Sequence, residues 1–135
     1  MPGDAGERIE QLVAAARAAR QNAYAPYSAF AVGAAVLAGD AVFVGANVEN
    51  AALPLSMCAE RGAVGAAVAA GHHRLQAVAI VTDAAEPTPP CGGCRQVLWE
   101  IGPEMLVVAE TIGGARTAWA LEDLLPGAFD RGSPS

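Results

Sequence analysis

Apolar and polar positions change period several times along the chain, and each change marks an element. Ile9, Leu12, Val13 and Ala16 recur at helical spacing. They predict an amphipathic helix over residues 5–21, opened by Asp4 and Glu7 as a capping box and closed before Pro26. The segment from Tyr24 to Phe30 is turn-like and aromatic, and the apolar run Val32 to Leu37 reads as a strand. A reversal at Gly39-Asp40 and a second strand from Val42 to about Val48 complete a hairpin. A connection through Pro54 leads to a helix from Cys58 to Gly71. Leu75 to Val81 is apolar apart from Gln76 and of strand length, as expected in the buried middle of a sheet. After the Pro87–Pro90 loop, Val97, Leu98 and Ile101 share one side of a helix that starts at Cys91 and ends at Gly102-Pro103. Trp99 is read as packing. Met105 to Ala109 is a short strand, Arg116 to Ala120 an edge strand, and Leu121 to Leu125 a last helical turn, with a mobile tail after Phe129. This order predicts an α/β fold, a three-layer α-β-α sandwich around a mixed five-stranded sheet.

Composition narrows the biology. The chain has 135 residues, enough for one domain, 1–135, with a real core and too few for two of ordinary size. Apolar residues make up 53% and charged ones 16%, an excess that points to burial between subunits. A net charge of −6 leaves no basic surplus for a phosphate backbone, so a nucleic acid polymer is excluded as partner. No run approaches a membrane span and Met1 to Gly6 lack the order of a signal peptide, so a cytoplasmic protein is expected.

The chemistry concentrates in Cys58-Ala59-Glu60-Arg61 and Pro90-Cys91-Gly92-Gly93-Cys94. Cys91 and Cys94 are neighbours on a first helical turn and Cys58 opens another helix. All three sit where helix N-termini favour thiolates, so they suggest one zinc ion held between two facing helix ends. Three protein ligands leave a fourth position for water, the arrangement of catalytic zinc, and Glu60 is then a candidate proton carrier that does not bind the metal. Three thiolates would leave the ion net negative and oppose ionisation of its water, so Arg61 is expected to donate hydrogen bonds to sulfur; Arg95 is a weaker candidate. The competing reading is a closed structural Cys3His site completed by His72 or His73. Asn47 and Glu49, two apart at a strand end, should point the same way. Spacing alone reads them as a solvated strand end.

The chain resembles the small homotetrameric zinc-dependent cytidine deaminases. The resemblance rests on A-Y-A-P-Y-S-A-F-A-V-G-A-A at 23–35, N-V-E-N-A-A at 47–52, C-A-E-R at 58–61, P-C-G-G-C-R-Q-V-L at 90–98 and L-L-P-G-A-F at 124–129. It implies hydrolytic conversion of cytidine and deoxycytidine to uracil nucleosides with release of ammonia, as in pyrimidine salvage. One Zn2+ per subunit and a homotetramer with shared active sites are implied as well. Glu60 would shuttle protons, Asn47 and Glu49 would hold the ribose hydroxyls, Phe30 would lie beside the nucleoside and Ala59 would contact the base through its backbone. Phe129 would enter a neighbouring subunit's site. Leu53 departs from the family's usual Tyr or Phe. Small deaminases of antibiotic nucleosides such as blasticidin S are the runner-up, and Asn47 together with Glu49 favours an ordinary ribose.

Overall fold

The computed structural model describes residues 5–131. Five strands lie side by side: β1 (Gly33–Ala38), β2 (Ala41–Ala46), β3 (Ala77–Thr82), β4 (Leu106–Thr111) and β5 (Arg116–Ala120), in the order β2-β1-β3-β4-β5. Only β3 and β4 are parallel, from Ala77 beside Leu106 to Thr82 beside Thr111; every other pair is antiparallel. The tight β1–β2 reversal uses Gly39 at φ 64°, a left-handed conformation that costs glycine nothing. As predicted from its continuous apolar run, β3 is buried on both faces along its whole length.

Helices cover both faces. On one face, Leu12, Val13 and Ala16 of α1 (Ala5–Arg20) pack on Ala35, Ala79, Val81 and Val108. On the other, α2 (Ala59–Ala69), α3 (Gly92–Ile101) and α4 (Leu121–Leu124) set Ala63, Ala67, Leu98 and Leu121 against Ala34, Val36, Val78, Ile80 and Val107. Alternate residues of β1, β3 and β4 therefore feed the two cores, as the strand period of two requires. The three-layer mixed α/β sandwich is the one expected. Trp99 packs against the second core. Leu12 is fully buried, so Leu12→Ala should cost about 2–5 kcal/mol.

Several boundaries move. The helix expected to reach Gly71 ends at Ala69, and α1 ends at Arg20. The second strand stops at Ala46, not Val48; Val48 forms isolated bridges to Tyr24 and Met57 instead. β3 and β4 run on to Thr82 and Thr111, so Glu110 is a strand residue. It is buried and accepts hydrogen bonds from Arg17 at 2.6 Å and Arg116 at 2.8 Å, while Arg116 also pairs with Glu10. This network ties α1 to the β4–β5 edge. A short 3-10 turn, Leu53–Leu55, was not predicted. Asp4 of the capping box and the tail beyond residue 131 lie outside the described residues. Among those residues no helix is long and apolar enough to cross a membrane.

Candidate active site

Two helix starts meet above the sheet. Cys58 is the N-cap residue of α2 and Cys91 that of α3, and neither sulfur caps its own helix. Close packing sets the first of these. A Cβ on Gly45 of β2 would lie 2.3 Å from the Ala59 carbonyl oxygen and 2.5 Å from the Ala63 amide, so only glycine lets α2 sit this low on the sheet. Cys94 follows in the first turn of α3, fully buried. The three cysteines are free, and their sulfurs lie within 4.8 Å of one another.

That donor set fits zinc. Zn–S bonds of about 2.3 Å place sulfurs about 3.8 Å apart at the corners of a tetrahedron, so the cluster needs only a small contraction. Among the described residues no other His, Cys, Asp or Glu atom joins the group. The Cys3His alternative thereby loses its fourth ligand. The His72 ring lies against Phe43 with ring centres 5.2 Å apart, and His72 and His73 line a separate surface groove beside Gly39 and Asp40.

The site is electrostatically uneven. Hydrogen bonding with Cys94 holds the Cys58 thiol down at about 5, with a further contribution from Arg61. The same pairing, with burial, pushes the Cys94 thiol up. The Arg61 guanidinium reaches Cys58 Sγ at 3.9 Å and donates to the Ser56 carbonyl at 3.1 Å. Arg95 does not reach sulfur: it donates to the carbonyls of Pro90 at 2.7 Å and Leu124 at 2.8 Å. Glu60 is only 6% exposed, and burial pushes its carboxyl upward. Its backbone position, inside the first turn of α2, brings it beside the sulfurs without making it one of the cluster.

These groups border a cavity of about 320 Å³ that Phe30, Asn47, Glu49, Cys58, Ala59, Glu60 and Cys91 all line. Residues from four separate stretches of sequence are thus brought together. Asn47 and Glu49 flank the bridged residue Val48 and turn the same way. Asn47 accepts from the Val32 amide and donates to the Phe30 carbonyl, both at 2.8 Å. The Glu49 carboxylate accepts from the amides of Tyr27 at 2.9 Å and Ser28 at 3.1 Å, and from the Ser28 hydroxyl. The Ser28 hydroxyl above all, with the two amides, holds the carboxyl below the usual range. Together they brace the loop that presents Phe30 to the cavity, with Ala29 held in a left-handed conformation at φ 58°. Phe129 does not line the cavity. It is 68% exposed, and its carbonyl accepts from Gln96 at 2.9 Å.

Sequence reasoning missed Ser28, Thr82 and Thr88. Thr82 and Thr88 line the cavity; Ser28 anchors the loop beside it. A strand ended at Val81 hid the signal at Thr82, where a hydroxyl continues the apolar column Val78, Ile80.

Three clustered thiols, a cavity that Cys58 and Cys91 line and a buried carboxylate beside them fit a zinc site. Comparison with known proteins agrees. The model of the cytidine and deoxycytidylate deaminase zinc-binding region matches residues 6–110. The cytidine deaminase of Sporosarcina psychrophila is 42% identical over 125 residues, 91% of this chain and 92% of that protein. The enzyme of Halalkalibacterium halodurans is 44% identical over 122 residues, 89% and 92% of the two chains. The crystal structure of cytidine deaminase from Burkholderia pseudomallei superposes with a TM-score of 0.86 at 48% identity, covering 89% of this chain and 98% of that one. The chain belongs to the cytidine and deoxycytidylate deaminase family.

Proposed function

We propose that this protein hydrolyses free cytidine and deoxycytidine to the uracil nucleosides with release of ammonia, as a step of pyrimidine salvage. The observation that carries the proposal is Glu60: buried, beside three clustered thiols, and facing a cavity of about 320 Å³. Cys58, Cys91 and Cys94 would hold one zinc ion per subunit, which when bound supplies Lewis-acid chemistry at an open fourth position. Glu60 takes a proton from the attacking water on its carboxylate and delivers it to ring N3; it then takes the second proton from the hydroxyl now on C4 and gives it to the amine, which departs as ammonia while the C4 carbonyl forms. Its upward-shifted carboxyl suits a group that must both accept and return protons. Arg61 offsets thiolate charge through its contact with Cys58 Sγ. The Ala59 amide orients the base. Asn47 and Glu49 bind the ribose hydroxyls with the lone pairs and N–H left over from bracing the Phe30 loop, and Phe30 packs beside the nucleoside.

The reading extends to one domain, 1–135, in a cytoplasmic homotetramer whose sites are shared. Exposed Tyr27, Leu53, Leu55 and Phe129 support association, with Phe129 entering a neighbour's cavity. Leu53 replaces a ring there without removing apolar surface. The test is loss of ultraviolet absorbance when zinc-loaded protein meets cytidine, deoxycytidine or blasticidin S. Turnover of the two simple nucleosides is expected. Inert cytidine with reactive blasticidin S would replace the substrate assignment, and no turnover of any would overturn the catalytic reading.

A further inference from the structure

Two hydroxyls in the cavity have no part in the chemistry above. Thr82 ends β3 and is 1% exposed. It continues the column Val78, Ile80 on the face that carries α2 and α3, so an apolar side chain would be the ordinary choice. Its oxygen accepts from the Ala84 amide at 3.2 Å. Its other partner is Thr88 Oγ1 at 3.4 Å, where either hydroxyl can donate, and Thr88 Oγ1 in turn is 3.4 Å from the Glu86 carbonyl. Both separations exceed the usual O–H···O range of about 2.5–3.0 Å. Two hydroxyls lining one cavity are therefore held to each other by a long bond, and such a pair gains from a ligand that offers a shorter one.

Their place in the cavity identifies the part of the ligand they meet. The lining takes Cys58, Ala59 and Glu60 from the start of α2, which packs mainly on β2 and β1, and Ile80, Thr82, Thr88 and Pro89 from the end of β3, the next strand in the sheet, and the loop after it. A pyrimidine has one polar edge, N3 and O2, and one carbon edge, C5 and C6. On the proposed function, on which this step rests, Glu60 must reach N3. The carbon edge is then turned to Thr82 and Thr88.

We propose that Thr82 and Thr88 determine specificity at pyrimidine C5, so that the site accepts a hydrogen-bonding 5-substituent such as hydroxymethyl better than a methyl group. The experiment compares deoxycytidine, 5-methyldeoxycytidine and 5-hydroxymethyldeoxycytidine as substrates of the zinc-loaded protein. It also compares thymidine and 5-hydroxymethyldeoxyuridine as bound products by calorimetry. Wild type should favour hydroxymethyl over methyl by about 3- to 10-fold in kcat/KM and in product affinity, the range of one neutral hydrogen bond. Thr82→Val should abolish that ratio and Thr82→Ser should keep it. The half-buried Thr88→Val should reduce it and guards against a Thr82→Val protein that does not fold. A wild-type ratio near one, or a ratio that survives both valine variants, would overturn the inference while deoxycytidine is still turned over. Inert deoxycytidine would instead overturn the functional reading on which it stands.

Discussion

Replacing Glu60 with Gln isolates the proton carrier from the metal site. The substitution keeps size and most hydrogen-bonding capacity in a position only 6% exposed, so no cavity forms and no neighbour need move. What disappears is the basic carboxylate. General acid–base catalysis of one proton transfer contributes roughly 10²–10⁴-fold, and on the proposed mechanism Glu60 would serve two relays, from water to N3 and from the C4 hydroxyl to the leaving amine. A loss of at least about 10⁴-fold in kcat is expected, roughly 5 kcal/mol of barrier. Zinc content, measured after exhaustive dialysis, should match wild type, whereas Cys94→Ala should lose metal and stability together. Stability carries a second signature. Burial raises the Glu60 carboxyl above its ordinary value, so the folded metal-free wild type binds the proton more tightly than the unfolded chain does. Its stability must then fall as pH rises from the ordinary carboxylate range through the raised value. The glutamine variant cannot show that component. Urea unfolding of both metal-free proteins across pH should therefore give a difference that grows with pH in favour of Glu60→Gln. Near-normal turnover by the variant, or loss of its zinc, would refute the assignment.

Three further outcomes follow from the geometry. In metal-free protein the Cys58 thiolate should persist down to about pH 5, read by its absorbance near 240 nm, because Cys94 and Arg61 hydrogen-bond to it; Arg61→Gln should move that midpoint upward and, in the zinc-loaded enzyme, shift the kcat/KM profile to higher pH. Glu110→Ala should cost roughly 1–3 kcal/mol in urea unfolding, since it strands Arg17 and Arg116, both of which keep some solvent, and should leave zinc content unchanged. Removing residues 129–135 should raise KM more than it lowers the melting temperature, and wild-type kinetics from the truncated chain would remove Phe129 from the site.

The layers of the fold were legible because the two strongest periodic signals are long. The helical repeat of Ile9, Leu12, Val13 and Ala16 describes a helix with one face turned to the core, and the apolar run ending at Val81 a strand buried along its whole length. Element ends were less legible, since an end is set by hydrogen bonding rather than by hydrophobicity. Strand β4 continues through Glu110 because Ala109 and Glu110 pair with both β3 and β5, and a charge in a buried strand is tolerated only because two arginines from elsewhere in the chain reach it. Nothing local to residues 105–111 announces Arg17.

The site divides in the same way. Cys58, Cys91, Cys94 and Glu60 could be assembled from sequence, because helix-start positions and three-residue spacing fix where those side chains go before any long-range packing is known. Asn47 and Glu49 could not be interpreted from spacing alone: their partners are backbone atoms of residues 27–32, brought near only when Val48 bridges Tyr24 and Met57. The consequence is physical. These two side chains hold the Phe30 loop in place in the absence of any ligand, so the ordering entropy of that wall is met during folding and not during binding. A strained Ala29 can persist there for the same reason, because the Glu49–Ser28 and Asn47–Phe30 bonds fix the residues on either side of it.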